Sequence, residues 1–278
     1  DEFPSMHDLD LAHITAREEL REFIEYYFFS HHEFDIEQSL MFFTSGRYEF
    51  RNKGFDVFIK ALARLNDHLK RVEHRKTVVA FFFVPGETHG VKTEVLEELQ
   101  TYRALKRSIQ EDASSIMRSI VRNATRLGRV SAGELLSEDL RDRISELTGR
   151  LRHPGNPPLC THNMPGEQSD AIISSLRANG LDNLPDDKVK VLRVPVYLNG
   201  SDGLIDLPYE HIIAGTHLGV FPSAYEPWGY TPVETAALGV PAVTTDLAGF
   251  GRYIASRSEP GHGVWVVERD GRSEEDAV

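Results

Sequence analysis

The chain of 278 residues is 40% hydrophobic and 27% charged, which is ordinary globular material and excludes a disordered or fibrous chain. Its formal net charge of -12 gives no footing for nucleic acid or an anionic membrane as the main partner. A single cysteine, Cys160, excludes an intrachain disulfide, and the longest strongly apolar run, 78–84, is far too short to cross a bilayer.

The opening DEFPSMHD has no initiating Met and no signal-peptide pattern, so a fragment or processed piece is expected, in a reducing cytoplasmic setting. AREELREFIEYYFF reads as an amphipathic helix with Leu20, Phe23, Tyr27 and Phe28 near one face, and residues 1–35 form an N-terminal helical segment. LMFFTSG, 40–46, predicts a buried strand ending in a turn. A helix follows from Gly54 to about Arg71, with Phe55, Phe58, Ile59, Leu62 and Leu65 at helical spacing, and then the apolar strand KTVVAFFFV. Continuous apolar runs joined by helices predict parallel strands covered on both faces.

Residues 93–149 contain no strand-like run and are rich in Glu, Arg, Leu and Ser. A turn at Gly128 with Ser131 as cap predicts two long helices, an insertion that is either surface decoration or a self-association element. HPGNPP then ends the helical stretch. An αβ rhythm resumes: strand VKVLRVP (189–195), short helix YEHIIAG, strand HLGVFPS (217–223), helix TPVETAALG (231–239), strand PAVTTD, short helix GFGRYIASR and strand GVWVVER. The predicted fold is α/β, a Rossmann-like doubly wound parallel sheet over 36–92 and 150–278, with its ligand at the carboxyl ends of the strands.

Two clusters at those ends carry chemistry. In GRYEFRNKG, 46–54, Arg47 and Lys53 follow a strand and precede a helix. Arg offers a fork of donors and Lys a mobile charge, which suits a diphosphate, although a solvated loop with its charges paired to Glu49 fits the same residues. The stretch is neither a Walker motif nor a GxGxxG fingerprint. In FPSAYEPWGYTPVETAALG, Glu226 precedes a helix and Glu234 is expected in its first turn. Gly229 and Tyr230 offer backbone N–H groups to a sugar or phosphate, and a carboxylate such as Glu234 accepts well from vicinal ribose hydroxyls. The plainer alternatives are a helix-start acid for Glu234 and a capped loop carboxylate for Glu226. No metal-ligand array is seen, and the adjacent His31 and His32 do not make one.

HLGVFPSAYEPWGYTPVETAALGVPAVTTDLAGFG, GRYEFRNKGFDVFIKALARLN and CTHNM together resemble glycogen synthases of the animal and fungal type. The resemblance implies the C-terminal half of a GT-B glycosyltransferase. It implies transfer of glucose from UDP-glucose to the non-reducing end of an α-1,4-glucan, with retention and without a cofactor. It assigns Arg47 and Lys53 to the diphosphate, Glu226 to the donor glucose and Glu234 to the ribose. Trp228, Gly229, Tyr230 and Thr231 fall to the glucose and phosphate loop, and Tyr209 to stacking on uracil. It also implies subunit contacts through the middle helices and a missing N-terminal domain, without which little turnover is expected. An ADP-glucose donor and a non-catalytic binding or association module stay open as alternatives.

Overall fold

The computed structural model describes residues 6–127, 135–257 and 263–272. Six strands form one sheet: β1 (Leu40–Ser45), β2 (Val78–Phe83), β3 (Val189–Val194), β4 (Leu218–Val220), β5 (Ala242–Thr245) and β6 (Val264–Val267). Their order is β3-β2-β1-β4-β5-β6 and every pairing is parallel. The central register sets Leu40 opposite Val78 and Ser45 opposite Phe83. Chain order reverses between β1 and β4, so the crevice above their carboxyl ends is the place where a doubly wound sheet takes a ligand.

Helices cover both faces. On one face lie α1 (Met6–Phe28) and α7 (Tyr209–Gly215), with α3 (Thr93–Glu111) beside them. Leu20, Phe23, Ile24, Tyr27 and Phe28 of α1 are buried against Phe43, Phe81 and Phe83 of the sheet. Their 3-and-4 spacing is the sequence cause of that contact, and each buried aromatic or Leu contributes about 1.5–3 kcal/mol. On the other face α2 (Phe55–Arg71) sets Phe55, Phe58, Ile59 and Leu62 against Ala80 and Phe82. Beside it lies α6 (Ala171–Ala178), a helix absent from the sequence reading. Asp170 caps it, its Oδ1 accepting from the N–H groups of Ile172 and Ile173 at 3.1 and 3.0 Å.

The middle differs from the two predicted helices. Three are found: α3, α4 (Ala113–Leu127) and α5 (Glu138–Leu151), the first break falling at Asp112. Packing explains it: α3 docks on α1 and α5, whereas α4 turns away and buries none of its described side chains. Ser137, accepting from the N–H of Leu140 at 3.2 Å, caps α5, while the predicted turn at Gly128 and cap at Ser131 lie outside the described residues. β4 is also shorter than predicted, because Pro222 supplies no N–H to extend the ladder. The last two helices, α8 (Tyr230–Ala237) and α9 (Gly249–Arg257), join β4 to β5 and β5 to β6.

His217 fastens β1 to β4: its Nδ1 accepts the Met41 N–H at 3.0 Å, which requires an unprotonated nitrogen. Burial, then Arg17, Arg21 and Lys76, pushes its pKa down to about 4, and burial with Lys190 and His31 does the same to His32. An unfolded imidazole takes up its proton near pH 6.5. The unfolded chain thus gains protons before the folded one, and stability present above pH 6.5 is lost as the pH falls towards 4. Thermal melts should show that fall, and His217→Asn, which retains an acceptor but has no proton to gain, should flatten part of it. An unchanged acid slope in the variant would contradict this. Cys160 is buried and its thiol is pushed up to about 11 by burial, so it stays protonated and inert. Among the described residues no helix is long and apolar enough to cross a membrane.

Candidate active site at the sheet switch point

The two loops that leave β1 and β4 are locked to each other. The first, 46–54, runs from β1 to α2. The second, 221–229, runs from β4 to α8. Gly54 has φ 71° and presses on the second loop: a Cβ there would lie 1.9 Å from the Pro222 carbonyl oxygen. Glycine is therefore required both by conformation and by space. The Ala224 N–H donates to the Asn52 carbonyl at 2.8 Å. The second loop also hangs from α9, through Gly249 N–H to the Glu226 carbonyl at 3.0 Å and Phe250 N–H to the Trp228 carbonyl at 2.7 Å.

This lock brings Lys53 and Glu226, 173 positions apart, into an ion pair through Nζ and Oε2, with side chains 15% and 20% exposed. Arg47 is 80% exposed and pairs locally with Glu49 Oε1 at 3.0 Å. Glu49 Oε2 in turn accepts from Asn52 Nδ2 at 2.6 Å. Of the local pairing foreseen for this loop, the Arg47 half is present, with its guanidinium still exposed, whereas Lys53 pairs with Glu226 and not with Glu49.

Arg47 lines a cleft of about 240 Å³ whose walls are mainly apolar, with Phe83, Pro85, Val196 and Tyr209 beside Gly46 and Thr231. Tyr209, the first residue of α7, shares a 2.7 Å hydrogen bond with Ser45 Oγ, and burial pushes its pKa up to about 12. It is a neutral, fixed aromatic wall. Glu234 is exposed and within electrostatic reach of Tyr209. It sits a full turn into α8, not in the first turn as predicted, because α8 already begins at Tyr230, with Gly229 as N-cap. The Trp228 ring rests against Phe250 and Tyr253, at centroid distances of 6.0 and 5.9 Å, and Tyr230 is 71% exposed. Among the described residues no group of three or more His, Cys, Asp or Glu side chains is placed to hold a metal ion.

Sequence reasoning missed Ser45, Pro222 and Arg269. Arg269 donates through Nη1 to the Pro222 carbonyl and through its backbone N–H to Asp246 Oδ1 at 2.7 Å. The signal was available, since Arg269 lies two residues past the end of the last strand, at the same carboxyl edge.

The glycogen synthase family model matches residues 1–278. The chain belongs to the glycogen synthase family. It is 36% identical over 290 residues to glycogen [starch] synthase isoform 2 of Saccharomyces cerevisiae, covering 99% of this chain and 41% of that protein. To the Neurospora crassa glycogen [starch] synthase it is 37% identical, over 99% of this chain and 40% of that one. The rat liver enzyme matches at 34% over 99% of this chain and 39% of its own length. The chain thus spans about two fifths of the curated relatives it matches. Among solved structures, a trehalose 6-phosphate synthase from Burkholderia multivorans aligns with 97% of this chain and 39% of its own at 10% identity, TM-score 0.40. The fold described above rests on the chain's own sheet order.

Proposed function

We propose that this chain supplies the donor-binding half of a GT-B glycosyltransferase that transfers glucose from UDP-glucose to the non-reducing end of an α-1,4-glucan, with retention. The observation that carries the reading is that one cleft holds Tyr209 and Arg47 together, while Lys53, whose side chain packs beside the cleft residue Gly46, pairs with the carboxylate of Glu226. A sugar nucleotide presents a base, a diphosphate and a sugar in that order. Membership of the glycogen synthase family supports the choice of glucose and glucan.

In this reading uracil lies against Tyr209 and the ribose diol against Glu234. Arg47, Lys53 and the N–H groups of Gly229, Tyr230 and Thr231 at the start of α8 hold the diphosphate. Trp228 shapes the loop that faces glucose. As the bond from C1 to the phosphate oxygen breaks, C1 gains positive character beside Glu226, and the departing phosphate gains charge beside Arg47 and Lys53. That phosphate takes the proton from the acceptor hydroxyl, which forms its new bond to C1 on the same face. No cofactor is needed. A second domain, outside this chain, completes the cleft, excludes water and orients the acceptor. The reading includes a cytoplasmic location.

Calorimetric titration with UDP, UDP-glucose and ADP-glucose tests it. Arg47→Ala is expected to weaken UDP about 10–100-fold, the range for losing hydrogen bonds to a charged group. Tighter binding of ADP-glucose than UDP-glucose would change the donor assigned. Failure of the chain to bind any of the three would overturn the reading.

The inserted helices complete the proposal as a subunit contact. Met117 and Val121 on α4 are 62% and 58% exposed, and Ile109 near the end of α3 is 40% exposed. Met117→Glu with Val121→Glu is expected to lower the mass found by analytical ultracentrifugation. An unchanged mass would rule α4 out as a subunit contact.

A further inference from the structure

The far end of the 46–54 loop is fastened at Gly54 and Asn52, but Arg47 stands near its other end, beside an exposed stretch. The next residue, Tyr48, reaches out of the loop to a fixture built by distant parts of the chain. Its hydroxyl donates to Asp170 Oδ2 at 2.8 Å, across 122 positions, and accepts the Ala171 N–H at 3.0 Å. Its ring lies over the guanidinium of Arg193, 4.8 Å from Cζ to the centroid.

Arg193 is on β3 and only 1% exposed, yet it does not line the cleft beside Tyr209. A buried guanidinium is costly unless paired. Here it pairs with Asp170, stacks on Tyr48 and donates to the Val84 carbonyl at 3.4 Å. Asp170 divides its two oxygens: Oδ1 caps α6, and Oδ2 faces Tyr48 and Arg193. One carboxylate thereby ties a helix start, a sheet cation and the loop together. None of the three groups belongs to the segment that carries Glu226 and Glu234.

We infer that Tyr48 is a positioning residue: clamped by Asp170 and Arg193, it fixes the backbone from which Arg47 reaches the diphosphate. This rests on the reading of Arg47 as a diphosphate contact. The clamp sets the aim of an arginine that is itself open to solvent. It does nothing for the base, which lies against Tyr209 on the other side of Arg47.

The test is calorimetry with UDP and with uridine, which carries the base and ribose but no phosphate. Tyr48→Ala is expected to weaken UDP about tenfold, since a small misplacement of a charged contact is costly, and to leave uridine unchanged. Tyr48→Phe, which keeps the ring over Arg193 and loses only the hydroxyl, should fall between Tyr48→Ala and the parent. In an Arg47→Ala background, Tyr48→Ala should cause no further loss, because the two act as one unit. Equal weakening of uridine, or losses that simply add in the double variant, would mean a structural role alone and overturn the inference. If Arg47→Ala weakens UDP and neither Tyr48 variant does, the inference falls while the site reading stands. If Arg47→Ala has no effect on UDP, both fall.

Discussion

Under the proposed function, Lys53→Ala is expected to lower kcat by roughly 10²–10³-fold, the loss that follows removal of one preorganised donor from a developing anion. Lys53 is held on a loop locked at Gly54 and it already faces Glu226, the carboxylate proposed to stand beside the donor sugar. Its position therefore needs no reorganisation when charge moves onto the leaving phosphate. The same substitution should weaken UDP, because it strips a cation from the diphosphate and leaves Glu226 facing it unpaired. Glu226→Gln has the opposite sign for binding: it frees Lys53, so UDP should bind as well or better, while turnover falls. Calorimetry beside steady-state kinetics separates the two. If Lys53→Ala left UDP affinity unchanged, the pair would be a structural tie and the site would lie elsewhere.

The second large effect is on stability. Gly54→Ala should cost about 2–5 kcal/mol, combining roughly 1–2 for a left-handed backbone with about 1–3 for overpacking. The strain cannot be relieved by rotating a side chain, since the obstacle is the backbone of Pro222: its oxygen at 1.9 Å and its carbon at 2.5 Å. At roughly 2–4 °C per kcal/mol for a domain of this size, Tm should drop by about 10 °C. Because relief comes only by parting the two loops, the variant should also lose UDP affinity below its melting temperature. A Tm within 2 °C or so of the parent, set against that expected drop, would show that the loops are not locked as described.

Much of this architecture was legible because burial leaves a periodic trace. The apolar runs at 40–46 and 78–84 are strands, and the Phe55–Leu62 spacing is a helix. The errors fall where tertiary packing, not local chemistry, decides. KRSIQEDASSIMRSI holds no Gly or Pro, and its helix-start signal is Asp112 before α4. The break falls at Asp112, which Arg143 of α5 holds at 2.8 Å, and beyond it α4 buries none of its described side chains. The short helix α6 did carry its signals, an Asp cap and an Asn-Gly end around Ile172, Ile173 and Leu176. They were hidden behind a loop rich in proline. Two cations in the predicted strand at 189–195, Lys190 and Arg193, are buried, which their place in the sequence does not show. At the site, composition and position pointed to Arg47, Lys53, Glu226 and Glu234 one by one. The Lys53–Glu226 pairing and the Tyr48–Asp170–Arg193 fixture join residues more than a hundred positions apart, and no local pattern encodes them.

Both cations of the crevice already hold a carboxylate, Arg47 with Glu49 and Lys53 with Glu226. A phosphate entering there exchanges with anions of the protein itself, and few dissolved ions are set free. Affinity for UDP should therefore change little with ionic strength, unlike that of a site lined with bare cations. Inorganic pyrophosphate meets the same two cations but has no nucleoside to lie against Tyr209, and the chain's overall charge of -12 works against it, so it should bind more weakly than UDP. Admission is then decided by the nucleoside, which lets the crevice ignore the simple polyphosphates of its surroundings.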